Sequence, residues 1–508
     1  MTTTARSNTV DAIVHRSSVR NPDRIAIVFD DRSWTYHELD DAVTQAANWL
    51  LAQGLSVGDR VATLGHNSDA YVIAFLGCAR AGLVHVPINS GLLGNELQYL
   101  LDDSDASLIL ADPGLVPRLA DLDVRGEVRV LHGADGCFLD GIERGVTTEL
   151  SLPANVADTD MVQLLYTSGT TSLPKGAIMS HRALMHEYMS SIYALDCTED
   201  DKPLHPMPLY HSAGMHVFLM PYLAVGATNH IIAAPEIPEV LRQIEEHELT
   251  AVFLAPTVWV PLVNHPRFDA ADLSSLTKAF YGASIMPAVT LARLQEQCPH
   301  VGLYNCFGQS EIGPLAAVLR PAEHADRPQS CGRSVLFVEM RVVTDDFKDV
   351  PPGEVGELLY RSPQLCDGYW NKPNATAEAF HDGWFRSGDL VRRDEAGFVT
   401  VVDRVKDVIN TGGVLVASRE VEDALYSHPS VAEVAVIGMP HERWIEAVTA
   451  FVVVKDGMSV EAEGLVAHTR SRLAPFKVPK EIIFVKDLPK NGSGKLLKRT
   501  LRETALAR

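Results

Sequence analysis

Short apolar runs alternate with amphipathic stretches through the first half of this chain. Residues 24–29 read as a strand, and Thr35 followed by Glu38 has the spacing of a capping box, which predicts a helix ending near Gly54. Runs at 60–64 and 85–88 read as strands on either side of an apolar helix over 70–81 that Gly82 stops, and 107–111 is another strand. The rhythm resumes later, with a helix over 182–195, a strand at 227–232, a helix over 237–247 and a strand at 251–255. Such alternation predicts α/β sheets covered by helices. From about Cys331 the texture changes to short strands at 338–343, 356–360 and 398–402 separated by turn-rich pieces, which predicts a small β subdomain. Beyond 403–407 come a helix at 419–426, strands at 431–438 and 449–454, a helix around 461–473 and a strand at 481–485, together about 100 residues, the size of a small domain.

Composition narrows the function classes. A chain of 508 residues is too long for one ordinary core, so two or more domains are expected. The net charge of −21 argues against nucleic acid or anionic lipid as partners, because the long-range field repels them. Seven scattered cysteines with no C-x-x-C pair read as reduced thiols rather than a metal site. No apolar run is long enough to span a bilayer and the first residues lack a signal-like apolar core, so the expected location is cytoplasmic, with no integral membrane segment.

Against that background one loop carries chemistry. Tyr166-Thr167-Ser168-Gly169-Thr170-Thr171-Ser172-Leu173-Pro174-Lys175-Gly176 follows the apolar run 161–165. Small residues let backbone N–H groups converge, the hydroxyls add donors and Lys175 adds charge, as a phosphate cradle requires. It is not a Walker A loop, since Gly169 and Gly176 lie seven apart. An ordinary Ser/Thr/Gly turn has the same composition, so the loop alone does not decide. Further on, Asn305-Cys306-Phe307-Gly308-Gln309-Ser310-Glu311 sets a carboxylate beside a glycine turn, the usual means of holding Mg²⁺ near phosphates. Residues 383–389 read as a tight turn presenting Asp389 to ribose hydroxyls. Asp403-Arg404-Val405-Lys406-Asp407 either pairs internally or faces a nucleotide, and the lysine-rich tail around Lys495 reads on its own as a solvated end.

In this order the motifs resemble those of the adenylate-forming superfamily, which includes acyl-CoA synthetases, adenylation domains and beetle luciferases. The resemblance runs through 166–176, 208–211, 281–284, 305–311, 356–357, 368–370, 383–389, 403–407 and 489–498, nearly the whole chain, and is most like bacterial fatty acyl-CoA synthetases. It implies an α/β fold: a large N-terminal domain of two α/β sheets plus a small β subdomain, residues 1–403, followed by a small mobile α+β C-terminal domain, residues 404–508, that carries Lys495. It implies an ATP-dependent acyl-CoA ligase that converts a carboxylic acid and ATP to acyl-AMP and pyrophosphate, then forms a thioester with coenzyme A.

By the same resemblance, Thr167, Ser168, Gly169, Thr170, Thr171 and Lys175 hold the β- and γ-phosphates of ATP and Glu311 positions Mg²⁺. Gly282, Ala283, Ser284, Asn305, Phe307, Gly308, Gln309 and Ser310 contact adenine and the α-phosphate, and Asp389 and Arg404 bind ribose. Lys495 bridges the acid and the α-phosphate, His211 gates or walls the acyl pocket, Lys406 is the hinge, and Gly412 and Gly413 admit the pantetheine arm of coenzyme A. The chain departs from the pattern at Ser172, Phe307, Ser310 and Val414-Leu415. The apolar segments 215–223 and 252–260, with Phe253 and Trp259, suggest a pocket for a medium or long aliphatic acid or a bulky aromatic or polycyclic one. Transfer to a carrier protein, a single half-reaction and a nucleotide-binding pseudoenzyme are the alternatives, and a homodimer is left open.

Overall fold

The computed structural model describes residues 8–143, 156–167, 173–284, 286–411, 414–441, 444–490 and 496–506. Its largest sheet has nine strands, with a parallel centre made by Lys278–Gly282, Ala251–Phe253, Pro203–His205, Asn229–Ile231 and their neighbours Gly302–Gly308 and Ile25–Phe29. A second sheet has six, in the order Glu127–Val130, Leu108–Ala111, Arg60–Leu64, Val84–Ile88, Met161–Thr167, Lys175–Ser180. The two α/β sheets expected from the alternation are therefore present.

Helix Asp69–Ala81 shows why the alternation was so clear. It is buried at every position but Arg80, and Gly82 ends it in the left-handed conformation at φ 70°. Its partner is helix Tyr36–Ala52, opened by the predicted capping box, in which Glu38 N–H donates to Thr35 Oγ1 at 3.1 Å and Thr35 N–H to Glu38 Oε2 at 2.8 Å. The two helices meet so closely that a Cβ on Gly77 would lie 2.7 Å from Ala46 Cβ, so this contact requires glycine.

The predicted small β subdomain is a five-stranded antiparallel sheet of Glu339–Val343, Val355–Arg361, Trp384–Arg393, Phe380–His381 and Val399–Arg404. Residues 383–389 are not a tight turn: Asp389 lies inside the strand Trp384–Arg393. The turn is at Asp382-Gly383, immediately before that strand, where φ values of 47° and 77° make the hairpin between Phe380–His381 and Trp384–Arg393. Gly388, at φ 70°, only kinks the strand just before its register shifts between Leu390 and Val391. The last sheet contains Val414–Val416, Ile409–Thr411, Ile445–Val454, Val431–His441 and Glu481–Phe484, with helices Ser418–Tyr426 and Ala462–Arg470 beside its strands in the chain. No helix among the described residues is long and apolar enough to cross a membrane.

A buried polar chain ties the second sheet to the helical layer. His85 Nε2 bonds Thr63 Oγ1 at 3.1 Å, Gln163 Nε2 donates to His85 Nδ1 at 3.0 Å, His216 Nε2 donates to Gln163 Oε1 at 2.7 Å, and Tyr188 O–H donates to His216 Nδ1 at 2.9 Å. Each group uses its donor in one direction and its acceptor in the other, so both rings are neutral and each has one tautomer. Burial holds His85 and His216 at pKa values of about 3, and His181 and His205 at about 4. In the unfolded chain a histidine titrates near ~6.5. Between ~6.5 and these folded values the unfolded state binds protons that the folded state does not, so stability falls as pH falls through that window. Each such histidine contributes up to about 1.4 kcal/mol per pH unit. Urea unfolding midpoints should therefore drop clearly from pH 7 to pH 5; a constant or rising midpoint would contradict neutral burial of this set.

Candidate active site

Three strands deliver their chemistry at carboxyl ends, where open α/β sheets bind ligands. Met161–Thr167 ends at the predicted cradle, Lys278–Gly282 at the Gly282-Ala283-Ser284 segment, and Gly302–Gly308 at the segment leading to Glu311. The first is an antiparallel pair at the sheet edge, with Tyr166 opposite Gly176 and Thr167 opposite Lys175. That register returns the chain directly over itself and places Lys175 beside Thr167. Ser168, Gly169, Thr170, Thr171 and Ser172 lie outside the described residues, as do Gly412, Gly413 and Lys495.

Both ends of the cradle are braced from behind. Asp103, its side chain 8% exposed, accepts from Tyr166 O–H at 2.9 Å and from Lys372 Nζ at 2.6 Å. Tyr99 O–H donates to the Pro174 carbonyl at 2.9 Å. Burial, with the Asp103 charge, pushes the Tyr166 phenol well above its ordinary range, so it remains a donor.

Backbone contact shapes the next wall. Gly282 pairs with Cys306, and a Cβ there would lie 2.1 Å from the Cys306 carbonyl oxygen, so only glycine fits. Asn305 Nδ2 donates to the Ser330 carbonyl at 3.0 Å, and Ser310 Oγ is 2.8 Å from Ser212 Oγ. Glu311 Oε1 accepts from Tyr369 O–H at 3.0 Å, and its other oxygen takes no hydrogen bond from a described residue. Lys175 Nζ sits 5.1 Å from the centroid of the same Tyr369 ring.

Opposite these, Asp389 and Arg404 face each other across paired strands and join Nε to Oδ1 at 2.7 Å. Within 403–407 the Arg404 N–H donates to Asp403 Oδ1 at 2.8 Å, while the Arg404 guanidinium leaves the segment and reaches Asp389. Asp403 turns to the last sheet's helix, accepting from Ser418 Oγ at 3.2 Å. Lys498 completes this joint with Nζ at 2.6 Å from Ser418 Oγ and 2.8 Å from Glu422 Oε1.

One cleft of about 3080 Å³ is lined by Thr167, Lys175, His211, Gly282, Ala283, Ser284, Asn305, Phe307, Gly308, Gln309, Ser310, Glu311, Asp389, Arg404 and Lys406. Every described residue to which the resemblance assigns a role in binding, catalysis or hinging therefore lines the same cleft. The acyl-wall expectation is narrower than stated. Of segments 215–223 and 252–260, Val217, Phe218, Phe253, Pro256, Thr257 and Val260 are among the lining residues. Trp259 is core: it is 2% exposed and its indole N–H donates to the Phe280 carbonyl at 3.0 Å. Sequence reasoning missed Asp103 and Tyr369 as site residues. Tyr369 stood inside the 368–370 motif, but nothing local marked Asp103, whose partners are at 166 and 372.

A model described as AMP-binding enzyme matches residues 14–370, and one described as AMP-binding enzyme C-terminal domain matches residues 420–495. The chain belongs to the AMP-binding enzyme family. It is 37% identical to a feruloyl-CoA synthase of Amycolatopsis sp. over 96% of this chain and 97% of that protein. It is 33% identical to an indoleacetate–CoA ligase of Aromatoleum aromaticum, covering 96% and 97% respectively. The crystal structure of ATP-bound MatB from Rhodopseudomonas palustris superposes with a TM-score of 0.90 at 30% identity, covering 98% of this chain and 99% of that one. The chain is an AMP-forming acid–thiol ligase of the adenylate-forming superfamily, using ATP, Mg²⁺ and coenzyme A.

The residues present fit a magnesium ion. Glu311 offers one hard carboxylate oxygen on the cleft, and no group of three or more His, Cys, Asp or Glu among the described residues could cage a metal. Mg²⁺ is typically held in that way, by one or two carboxylates with waters and substrate phosphates.

The brace makes a direct prediction. Asp103→Ala leaves Tyr166 and Lys372 without their shared acceptor, and should lower stability by about 1–3 kcal/mol in urea unfolding while weakening ATP binding measured by calorimetry. Unchanged values for both would remove Asp103 from the account.

Proposed function

We propose that this ligase activates a bulky hydrophobic acid, with an aryl-bearing acid favoured over a straight chain, and that the cleft residues divide the work as follows. Lys175 and the cradle hold the β- and γ-phosphates. Glu311 binds Mg²⁺, which when bound neutralises phosphate charge. The 282–284 and 305–310 segments take adenine and the α-phosphate, and Asp389, held by Arg404, takes the ribose. In-line displacement at phosphorus needs positioning and charge neutralisation more than covalent help, and this set supplies both. The substrate carboxylate attacks the α-phosphorus as the bond to pyrophosphate breaks, and the coenzyme A thiol then displaces AMP from the acyl carbon.

The observation that carries the substrate reading is the aromatic wall. Phe218 and Phe253 stack with centroids 4.3 Å apart at an interplanar angle of 16°, and both line the cleft. Residues 217–226 contain no acidic side chain that would pair with an ammonium group. An offset aromatic face adds about 0.5–1.5 kcal/mol for a ring beyond area burial. The acids in the names of the two relatives, feruloyl and indoleacetate, both carry a ring.

Two further parts of the reading concern the end of the chain. Residues 404–508 act as the mobile domain, with Lys406 as the hinge between strands Val399–Arg404 and Ile409–Thr411. Lys495 serves adenylation, and Gly412-Gly413 serves thioester formation from the other orientation.

Acid-dependent exchange of pyrophosphate into ATP tests the substrate. Ferulate, indole-3-acetate and other aryl acids should support exchange better than hexadecanoate, and Phe218→Ala should erase that preference; equal exchange with both classes would overturn it. Lys495→Ala should cut exchange by about 10²–10³-fold while supplied acyl-AMP is still converted to thioester by coenzyme A. Equal loss in both steps would sink the domain-rotation reading.

A further inference from the structure

Glu311 and Lys175 carry opposite charges and line the same cleft, yet they form no ion pair with each other. The two are separated by one side chain. Tyr369 gives its hydroxyl to Glu311 Oε1 at 3.0 Å and offers its ring face to Lys175 Nζ at 5.1 Å. A cation over an aromatic face is attracted to the ring quadrupole, and a phenol donating to a carboxylate fixes which oxygen remains for a metal.

The backbone holds Tyr369 firmly in this position. Its N–H donates to Thr376 Oγ1 at 2.9 Å, the Trp370 N–H donates to the Gly176 carbonyl at 2.8 Å, and the Ile178 N–H donates to the Gly368 carbonyl at 2.9 Å. Residues 368–370 are thus strapped along strand Lys175–Ser180, next to the lysine itself. Gly368 makes the approach feasible, with φ at 133° and space for a Cβ only 2.7 Å from Thr376 Cγ2.

We propose that Tyr369 is a positioning residue for adenylation: it orients Glu311 through its hydroxyl, holds Lys175 on its ring, and keeps the two from collapsing onto each other before substrate arrives. Such a collapse would cancel the charges that ATP and its metal need. A direct Lys–Glu contact would have to be broken by each incoming nucleotide, whereas a cation on a ring face is released at smaller cost and the carboxylate on the phenol stays in place. The inference rests on reading Glu311 as the Mg²⁺ carboxylate and Lys175 as the phosphate lysine.

Nucleotide binding without turnover separates the two levels. ATP affinity is measured by calorimetry on the full chain, with Mg²⁺ and with EDTA, for wild type, Tyr369→Phe, Tyr369→Leu, Glu311→Gln and the Tyr369→Leu/Glu311→Gln double variant. Tyr369→Phe keeps the ring and should lose about 10-fold in affinity only when Mg²⁺ is present, as expected for losing one hydrogen bond to a charged group. Tyr369→Leu should lose affinity in EDTA as well, because Lys175 is then captured by Glu311, and the added Glu311→Gln should restore binding in EDTA. A Tyr369→Leu defect that Glu311→Gln does not relieve would overturn the spacer role, as would a Tyr369→Phe variant indistinguishable from wild type. If Glu311→Gln itself leaves the Mg²⁺ dependence intact, the metal reading fails instead, and the Tyr369 proposal falls with it.

Discussion

The antiparallel pairing of Met161–Thr167 with Lys175–Ser180 is the constraint on which the site depends. The rest of that sheet's interior is parallel, so the chain leaving Met161–Thr167 would ordinarily cross over through a helix before returning. Here it returns at once, and the register puts Lys175 opposite Thr167. The contacts made by the cradle's described residues are arranged around that hairpin. Asp103, Tyr99 and Lys372 brace it from one side, and residues 368–370 lie along it from the other. If this hairpin is the phosphate site we propose, these contacts supply the rigidity that positioning requires.

The joint between the β subdomain and the last sheet is built on different physics. Asp389 and Arg404 form a charge-assisted pair on adjacent strands, while the neighbouring Asp403 bonds Ser418 and Lys498 bonds both Ser418 and Glu422. Asp403 and Lys498 both bond Ser418, which links the strand that carries Arg404, the partner of the candidate ribose carboxylate, to the helix Lys498–Leu506. In our reading this lets nucleotide binding and domain orientation influence each other, since a change at Asp389 is felt at Arg404 and one residue further at Asp403.

Much of this was legible in the sequence because the fold obeys local rules. The capping box at Thr35 and Glu38 and the glycine stop at Gly82 fall where they were read, since both act through contacts within one turn of helix. The Asp382-Gly383 hairpin is equally local: its two positive φ values set the turn there, and the acid Asp389 lies in the strand that follows. The π-helical turn at Ala213–Leu219 and the core role of Trp259 were not legible, because an apolar segment looks the same whether it walls a cavity or fills a core. Asp103 was invisible for another reason: a buried carboxylate acquires meaning only from partners distant in sequence, here at 166 and 372. The family resemblance groups Lys175, Glu311 and Asp389, but no pattern in the sequence marks a tyrosine as lying between Lys175 and Glu311 in the fold.

The central claim is that the cleft makes an acyl adenylate before any thioester exists. Rapid-quench analysis of a single turnover, with α-labelled ATP, an aryl acid and coenzyme A in one mixing step, tests it most directly. The account predicts that labelled acyl-AMP rises first, toward one equivalent per enzyme, and then decays into AMP at the rate at which acyl-CoA forms. Thioester appearing without a preceding acyl-AMP phase, or acyl-AMP that persists while acyl-CoA accumulates, would contradict it.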